Sequence, residues 1–600
     1  MDNATMARLL EQTADLMEID GADSFRVRSY RRAAEAVDAT TVDLAACSDD
    51  TAKLLEIPGI GKSMAANLQA MERTGTMPLR EELLAKYGVG ILELMRLPGM
   101  GPKTVALFWS AAQINSIDGL AAAIDGGKLA ELPRMGQKAL DKIKKGIEDY
   151  RRISGRFRID QAEDAAQRLT AYLMKLEGIE RVTPAGSLRR GRETAGDLDL
   201  LVTGAACDHP SKPTPGLPGT PTCEPDKTGA AVEYVAAYPG IADLIVKGEN
   251  KVSFHLESGM QVDVRLLPSA SYGAALQYFT GSKAHNVTLR QRALKMGYTL
   301  SEWSLAKLED ETQVVAAATE EEIYAALGME WIPPELRENL GEMDMAAEHK
   351  LPRLIEERDL KGDVHMHTTA TDGRNTIREM AEAAIACGYE YIAITDHSKA
   401  LAMTNGLDEK RALEHLKRIR EVERELEGRI RIFTGIEVDI LADGALDMDD
   451  EVLAQMDVVI ASIHSRFDQS REETTERTLR AIENPHVKIL GHPTGRLILR
   501  REPFAIDMGA VMRRAAELGV AMEHNAAPER LDLCDRDLRL AKELGCKIAI
   551  NTDAHDTRTL GKMSYGVRQL RRAWLGPQDV LNTLGAEEFL AGLKRRASVS

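Results

Sequence analysis

Residues 186–202 read GSLRRGRETAGDLDLLV, and their apolar end has the alternation of a β-strand. Asp197 and Asp199 are two residues apart, so a strand places both carboxylates on one face and the leucines on the other. Adjacent carboxylates repel each other, and a divalent cation that prefers oxygen ligands, Mg²⁺ or Mn²⁺, relieves that cost. A third carboxylate, Asp263, lies in another alternating segment, QVDVRLL at 261–267. Three aspartates on adjacent strands predict a two-metal site for in-line nucleotidyl transfer.

The turn before these carboxylates is suited to a triphosphate. Gly186 and Ser187 offer a tight turn and a hydroxyl, and Arg189 and Arg190 add two cations. A bare Asp-x-Asp pair is usually solvated surface, but the complete string GS-x-RRG-x-E-x-x-GD-x-D with a later VDVR is far more specific. This stretch resembles the palm of the family X (polymerase β-like) DNA polymerases and, more broadly, the nucleotidyltransferase superfamily.

The resemblance implies a role for each of these residues. It assigns catalysis and metal binding to the three aspartates, with Asp263 activating the primer 3′-hydroxyl. It assigns contact with the incoming nucleotide to Gly186, Ser187, Arg190 and Gly196, of which Ser187 and Arg190 hold the β- and γ-phosphates.

A second segment, YGAALQYFTGSKAHNVTLRQRALKMGY at 272–298, predicts two helices separated at Gly281. In the family this segment forms the nucleotide-binding wall beside the palm. By resemblance, Tyr278, Phe279 and Gly281 abut the incoming sugar, Asn286 reads the minor-groove edge of the new base, and Arg290 contacts the template strand. Without the flanking YFTGS, a solvated helix face is the better interpretation of Asn286 and Arg290.

Two similar segments precede the palm, IPGIGKSMAANL at 57–68 and LPGMGPKTVALF at 97–108. Glycines let the backbone approach a phosphate, and the helix that follows supplies free N–H groups and a positive dipole end. These segments resemble the helix-hairpin-helix motif, a sequence-independent grip on DNA. The third copy at 132–143 has Arg134 in place of its first glycine and predicts a structural role. The predicted DNA-binding residues are Gly59, Gly61, Lys62, Gly99, Gly101, Lys103 and Arg290.

Two features of the first module leave its chemistry open. In polymerase β-like proteins it carries a Schiff-base lysine that removes 5′-deoxyribose phosphate, and alignment through PGIG places Asn67 there. An amide cannot form the imine, which puts this activity in doubt, although Lys53 and Lys62 are nearby. The basic stripe SFRVRSYRRAA at 24–34 is either a solvated helix face or a DNA contact.

Composition sets the broad class. A chain of 600 residues with 44% hydrophobic and 28% charged residues predicts several globular domains. We find neither an apolar run of about 18 residues nor a signal-peptide pattern. Six scattered cysteines without CxxC fit a reducing cytoplasm. The net charge of −17 argues against a uniformly basic surface, so DNA must be held by local patches and backbone amides.

From residue 361 a different pattern begins, which polymerase chemistry does not explain. DVHMH at 363–367 places two imidazoles on one face of a strand, and acidic and histidine residues recur at later predicted strand ends. Amphipathic helices separate them at 376–387, 408–427, 471–484, 507–518 and 535–545. Alternating strands and helices predict a parallel sheet closed into a barrel, with ligands at its carboxyl edge.

This half resembles the PHP (polymerase and histidinol phosphatase) domain, whose nine ligands bind up to three metals. Mixed imidazole and carboxylate ligands favour Mn²⁺, Zn²⁺ or Fe²⁺ over Mg²⁺ alone. By motif the ligands are His365, His367, Asp372, His397, Glu437, His464, His492, Asp553 and His555.

We therefore expect a multidomain fold. It comprises α-helical helix-hairpin-helix domains at 1–85 and 86–157, an α/β nucleotidyltransferase palm at 158–268, a small nucleotide-selecting α/β lobe at 269–332, a linker at 333–360 with a charged helix at 340–358, and a PHP-type distorted (β/α) barrel at 361–590. The Pro- and Gly-rich segment 205–229 predicts a disordered loop within the palm.

The expected function is a family X DNA-directed DNA polymerase in gap-filling DNA repair, joined to a PHP-domain 3′-5′ exonuclease or 3′-end phosphoesterase. Mg²⁺ would serve the palm, and up to three Mn²⁺ or Zn²⁺ ions the barrel. The partners would be gapped or primer-template DNA and dNTPs, with no membrane, for a monomer in the cytoplasm at the nucleoid. The alternatives are a non-templated nucleotidyltransferase, a small-molecule phosphatase with a vestigial palm, and a non-catalytic DNA-binding scaffold.

Overall fold

The computed structural model describes residues 3–40, 44, 50–57, 59–97, 99–129, 132, 135–153, 155–207 and 227–594. The chain divides into two compact units, residues 1–154 and 155–600. Pro58, Pro98 and Arg134 of the predicted hairpin turns lie outside the described residues, as does most of the predicted 205–229 loop. Among the helices of the described residues, none has both the length and the apolar character needed to cross a bilayer.

The first unit is α-helical, as its sequence pattern predicts. Two clusters of buried apolar side chains hold it together, one around Leu68 and one around Phe108. Both predicted hairpin helices start at their expected positions, with Gly61 and Gly101 as N-cap residues. The helices are α1 Asn3–Ile19, α2 Ser24–Ala39, α3 Thr51–Leu55, α4 Lys62–Thr74, α5 Pro78–Tyr87, α6 Gly90–Leu94, α7 Pro102–Ala112, α8 Ile117–Asp125 and α9 Gln137–Ile153.

The palm is a five-stranded sheet in the order β2-β4-β7-β6-β5. Leu198 and Leu200 are fully buried against helices on one face, which leaves the opposite face of β4 for the carboxylates. Its elements are β1 Phe157–Arg158, α10 Ile159–Leu173, β2 Arg181–Pro184, α11 Gly186–Arg189, β3 Thr194–Ala195, β4 Asp197–Thr203, α12 Lys227–Ala236, β5 Ile241–Lys247, β6 Lys251–Leu256 and β7 Gln261–Leu267.

The small α/β lobe follows the palm. Its three-stranded antiparallel sheet, in the order β10-β9-β8, packs with three helices around Leu289 and Tyr324. The two helices predicted within 272–298 are present and separate at Gly281. The elements are α13 Tyr272–Thr280, α14 Lys283–Lys295, β8 Tyr298–Leu300, β9 Leu305–Lys307, β10 Val314–Ala316 and α15 Glu320–Ala326.

The predicted charged helix at 340–358 is wrong in extent. Within the fully described segment 340–358, the one α-helix is the short α16 Glu342–Ala347, and the chain then turns at His349, which has a φ of +54°. Pro352 disfavours helix at the residue before it, and the Ile355 N–H instead donates to the Leu575 carbonyl at 3.0 Å. This segment also contributes Met343, among others, to the apolar core of the small lobe.

The C-terminal part is a seven-stranded parallel sheet in sequential order, β11 to β17. A parallel bridge between Met366 and Ala554 joins its two ends, so the sheet is nearly closed into the expected barrel. The strands are β11 Gly362–Asp363, β12 Tyr391–Ile394, β13 Arg431–Asp439, β14 Val458–Ser462, β15 Ile489–Leu490, β16 Ala521–Asn525 and β17 Lys547–Asn551. The helices are α17 Ile377–Ala386, α18 Glu409–Glu425, α19 Asp450–Leu453, α20 Arg471–Glu483, α21 Met508–Leu518, α22 Asp535–Glu543, α23 Met563–Arg572 and α24 Ala586–Gly592.

The barrel packs directly on the palm within the second unit. Ile498 and Leu531 of the barrel belong to the apolar core of the palm. The guanidinium of Arg496 pairs with the Glu193 carboxylate at 2.7 Å. These contacts fix the loops after β15 and β16 against the palm.

Candidate active sites

The three predicted carboxylates of the palm meet on one face of its sheet. Strands β4 and β7 run parallel, and Asp199 is directly opposite Asp263 in their register. Asp197 is two residues before Asp199 on β4 and shares its face. The sequence pattern therefore predicted this grouping correctly, and the arrangement can present oxygen ligands to a shared cation.

The turn before β4 approaches these carboxylates so closely that it requires glycine. Gly186 has a φ of +57°, and a Cβ at that position would lie 2.3 Å from Oδ2 of Asp199. The next residue, Ser187, has a buried Oγ without a hydrogen-bond partner among the described residues. Gly196 lies immediately before β4. The turn thus carries a buried hydroxyl whose hydrogen-bonding capacity is available to a ligand.

The electrostatics of the palm site favour a bound cation. Burial, together with the neighbouring Asp197 and Asp263 charges, raises the pKa of Asp199 to about 7. The Lys251 ammonium lies 3.0 Å from Oδ2 of Asp263 and, against the effect of burial, helps to hold the pKa of that carboxyl below its usual value. The other oxygen of Asp263 is buried without a described partner. This crowded, incompletely satisfied oxygen set fits a divalent metal.

The two arginines of the turn are already engaged. The Arg190 guanidinium donates to the Thr280 carbonyl and lies 3.2 Å from the Glu338 carboxylate. Arg189 forms a bidentate pair with Glu320, at 2.9 and 2.8 Å. Both arginines thus tie the palm to the small lobe and to the segment after it, rather than extending freely over the phosphate turn.

The predicted nucleotide wall is also placed beside the palm. Tyr278 and Phe279, whose ring centroids are 5.1 Å apart, lie in the last turn of helix α13, which ends at Thr280 before Gly281 with a φ of +69°. The Asn286 amide donates to the Tyr278 carbonyl at 2.7 Å, so it is held against this turn. Arg290 is exposed on α14. These positions suit the roles that the resemblance implies.

The hairpin residues lie in the first unit, on its surface. Gly59 and Gly99 have φ values of +95° and +80°, which favour glycine. Neither helix that follows has a side-chain N-cap hydrogen bond, so backbone N–H groups remain available there. The exposed residues of this set are Gly59, Gly61, Lys62, Gly99, Gly101 and Lys103.

The nine predicted barrel ligands converge at the carboxyl edge of the parallel sheet. Within the described residues, their ligand atoms form three overlapping groups, in each of which these atoms lie within 4.8 Å of one another. The groups are His367, Asp372, His397 and His555; His365, His367 and Asp553; and His397, Glu437 and His464. The ninth residue, His492, has Nε2 3.0 Å from Oε1 of Glu437.

Glu437 is the hub of this cluster. Its carboxylate lies 2.9 Å from His397, 3.0 Å from His492 and 3.4 Å from His365. Burial raises the pKa of Glu437, but the neighbouring imidazoles, led by His365 and His397, outweigh it and hold this pKa well below its usual value. Buried ligand atoms that make no well-aligned hydrogen bond among the described residues include Nε2 of His365 and Oε2 of Glu437. Such orphaned nitrogen and oxygen donors fit divalent metal ions.

Sequence reasoning missed the residues that orient these ligands. The Glu523 carboxylate accepts from Nδ1 of His365 at 2.7 Å and from the backbone N–H of His492 at 2.6 Å. Carboxylates behind a ligand imidazole fix its tautomer and direction. The available signal for Glu523 was its position in AMEHN, an acidic residue near the end of an apolar strand.

Comparisons with protein families match most parts of the chain. A helix-hairpin-helix domain matches residues 1–77, and a SAM-like helix-hairpin-helix tandem matches 91–149. The DNA polymerase beta thumb matches residues 275–338, and the PHP domain matches 363–520. These matches agree with the helical, small-lobe and barrel parts of the structure.

Individual relatives extend this result. The DNA polymerase/3'-5' exonuclease PolX of Bacillus subtilis (strain 168) is 37% identical over 597 residues, covering 99% of this chain and 100% of that protein. A probable phosphatase of Thermoanaerobacter sp. (strain X514) is 30% identical, over 39% of this chain and 96% of that protein. A Leishmania infantum polymerase beta structure, a ternary P/T complex, has 23% identity and a TM-score of 0.27, covering 42% of this chain and 98% of that chain. The full-length match shows that the chain belongs to the bacterial family X DNA polymerases that carry a C-terminal PHP domain.

Proposed function

We propose that the chain is a DNA-directed DNA polymerase and a metal-dependent 3′-5′ exonuclease acting on 3′ ends. The Bacillus subtilis relative, whose name states both activities, aligns over nearly the whole chain. The observation that carries the proposal is the presence of two chemically distinct ligand sets. One is the all-carboxylate set Asp197, Asp199 and Asp263 on the palm sheet, and the other is the histidine-rich set of the barrel.

In the palm, Asp197 and Asp199 would hold two Mg²⁺ ions, and Asp263 would hold the one nearest the primer end. These ions would stabilise the charge of the transferring phosphoryl group and favour the attacking oxygen. The Gly186–Ser187 turn would receive the β- and γ-phosphates through the unpartnered hydroxyl of Ser187. Arg190 would join it after its contact with Glu338 opens.

The same proposal assigns the selection of the nucleotide to the wall of the small lobe. Tyr278, Phe279 and Gly281 would lie against the sugar, and Asn286 would reach the base edge. The Asn286 amide already donates to the Tyr278 carbonyl. A movement of Asn286 towards the base would therefore also affect the turn that contacts the sugar. Arg290, exposed on the same helix, would contact the template strand.

In the barrel, the nine ligands would hold up to three Mn²⁺ or Zn²⁺ ions and act on the phosphodiester at a DNA 3′ end. The metals would supply Lewis-acid stabilisation and a nucleophile at neutral pH. The protein residues would fix that geometry: Glu523 orients His365 and, through the backbone N–H, the His492 loop. His367 and His397 each belong to two of the three groups, so each imidazole would serve one or the other of two neighbouring ligand groups.

The biological setting that we infer is gap-filling repair. Two hairpin modules with exposed glycines and lysines would grip the DNA backbone without reading sequence. The partners would be gapped or primer-template DNA and dNTPs, and the protein would act as a monomer in the cytoplasm at the nucleoid.

A second candidate for the barrel is hydrolysis of a small phosphomonoester. It is favoured by the match of this region to probable phosphatases, at 30% identity over 39% of the chain. Turnover of histidinol phosphate or of a 3′-phosphorylated oligonucleotide would separate it from exonuclease action. Release of phosphate without any shortening of a 3′-hydroxyl strand would favour this alternative.

The direct test uses a 5′-labelled primer on one-nucleotide-gapped DNA, with and without dNTPs, in Mg²⁺ and then in Mn²⁺. We expect one-nucleotide extension with dNTPs, and shortening from the 3′ end without them. Extension without dependence on the template base would instead favour a non-templated nucleotidyltransferase, and no reaction in either metal would contradict the proposal.

A further inference from the structure

Three consecutive loops at the carboxyl edge of the barrel carry residues that the metal site does not use. They follow the adjacent strands β14, β15 and β16. Phe467 comes three residues after the ligand His464, and Arg501 and Arg530 lie in the next two loops. Because the carboxyl ends of neighbouring parallel strands meet at one edge, these side chains flank the same side of the metal cluster.

Arg530 is the closest of these cations to a ligand. Its Nε lies 3.7 Å from Oδ2 of the ligand Asp553, and its side chain is 21% exposed. This is the only side-chain ion pair of Arg530 among the described residues, and it is longer than a hydrogen bond. A guanidinium has five donors in a planar fork that matches two phosphate oxygens. Arg530 is therefore placed beside the metal ligands with its donors largely unused.

Arg501 is built into an aromatic stack. Its guanidinium lies over the Phe467 ring at 4.2 Å from the centroid, and Phe467 in turn stacks with Phe504 at 6.1 Å. Nε of Arg501 donates to the Gly495 carbonyl at 2.8 Å. A Cβ on Gly495 would lie 2.4 Å from the Phe504 ring, so this loop requires glycine three residues after the ligand His492.

The loop that holds Arg501 is rigidly anchored. Ile498 is buried in the palm core, and its N–H donates to the Glu529 carbonyl at 2.7 Å. Arg496 donates to the Leu531 carbonyl and pairs with Glu193. A planar cation supported by an aromatic ring on a fixed loop is a ready stacking surface for a nucleobase.

The two arginines are also close enough to repel each other. Burial, and then the neighbouring Arg530 charge, lower the pKa of Arg501, although Asp532 acts in the opposite direction. A phosphate bound by Arg530 would offset the repulsion between the two cations. A metal held by Asp553 would share the charge of that carboxylate and leave Arg530 more able to bind a phosphate.

We propose that Arg530, Arg501 and Phe467 form a nucleotide subsite of the barrel centre, which takes the last deoxynucleotide of a DNA strand. Arg530 binds its phosphate, and the Arg501–Phe467 stack supports its base. The inference deepens the proposed exonuclease function and rests on it. It assigns substrate recognition to protein side chains outside the nine ligands.

The test is calorimetric titration of the full-length protein, loaded with Mn²⁺, with dAMP and with deoxyribose 5-phosphate, which lacks the base. The wild type should bind dAMP at least about tenfold more tightly than the sugar phosphate, a factor typical of base stacking. Arg501→Lys keeps the charge but loses the plane, and Phe467→Leu keeps the apolar bulk but loses the ring. Each should abolish the preference for dAMP. Arg530→Gln should weaken both ligands about tenfold or more.

Arg500→Gln is the matched control, since it removes an exposed arginine one residue away and should change neither affinity. Primer extension at the wild-type rate would show that each variant is folded. An unchanged preference for dAMP in Arg501→Lys and Phe467→Leu would overturn the base subsite, and equal losses in Arg500→Gln and Arg530→Gln would overturn the phosphate contact. A parallel gel distinguishes failure of the subsite from failure of the exonuclease function. A wild type that binds dAMP as expected but does not shorten a 3′ end would refute the exonuclease function and leave the subsite standing.

Discussion

Gly186→Ala should silence the polymerase site while leaving the barrel intact. The new Cβ would lie 2.3 Å from Oδ2 of Asp199, whereas ordinary contacts begin near 3.4 Å, so the two groups must separate by about 1 Å. A displacement of about 1 Å in a reacting constellation costs about 10²-fold in rate. The φ of +57° adds strain of about 1–2 kcal/mol for any residue with a side chain.

Gly259→Ala is a control that introduces backbone strain without displacing a neighbouring group. Gly259 has a φ of +84°, but a Cβ there has no neighbour within 4 Å among the described residues. Both variants should lose stability in urea unfolding because of the left-handed backbone, and Gly186→Ala should lose more because of its contact with Asp199. In single-turnover extension of gapped DNA, only Gly186→Ala should slow about 10²-fold, and both should shorten 3′ ends at the wild-type rate. If Gly186→Ala extends primers as fast as Gly259→Ala, the contact with Asp199 does not position the catalytic carboxylate.

Three further outcomes follow from individual contacts. Glu320→Gln leaves two arginine guanidiniums in the protein interior without their carboxylate. It should therefore lower the free energy of unfolding of the second unit, measured by urea titration, by about 3–5 kcal/mol. Glu321→Gln, at an exposed position of the same helix, should change this free energy by less than about 0.5 kcal/mol. Glu523→Gln should raise the Mn²⁺ concentration needed for half-maximal 3′-end hydrolysis about 10- to 100-fold, and the exposed Glu543→Gln should not. Deoxyribose-phosphate lyase activity should be weak or absent because Asn67 occupies the lysine position, and efficient borohydride trapping of a covalent DNA adduct would refute this.

Much of the site was readable from the sequence because its periodicities are local. The two-residue spacing of Asp197 and Asp199 fixes their common face, and alternating helices and strands place His464 and His492 at one edge of a barrel. Each of these inferences needs only the geometry of a strand and the rule that parallel strands end together.

The parts that could not be predicted depend on contacts between distant residues. Arg190 looks like a free phosphate ligand in its own segment, but its guanidinium pairs with Glu338, 148 residues away. Glu523 has no motif of its own, and its role depends on the approach of His365, which follows the first strand of the barrel. The charged run after residue 340 resembled a helix because its core contacts could not be seen, although Pro352 was a visible reason to end it.

The central claim is that the palm and the barrel are two separate metal centres. It is tested most directly on one gel, with a labelled gapped substrate, Mg²⁺ or Mn²⁺, and three proteins: wild type, Asp263→Ala, and His365→Ala with His367→Ala. Asp263→Ala should bind DNA and shorten its 3′ end but add no nucleotide, while the double-histidine variant should add nucleotides in Mg²⁺ and lose the Mn²⁺-stimulated shortening. A double-histidine variant that shortens 3′ ends at the wild-type rate would place the nuclease elsewhere, and one that loses both activities would contradict two independent centres.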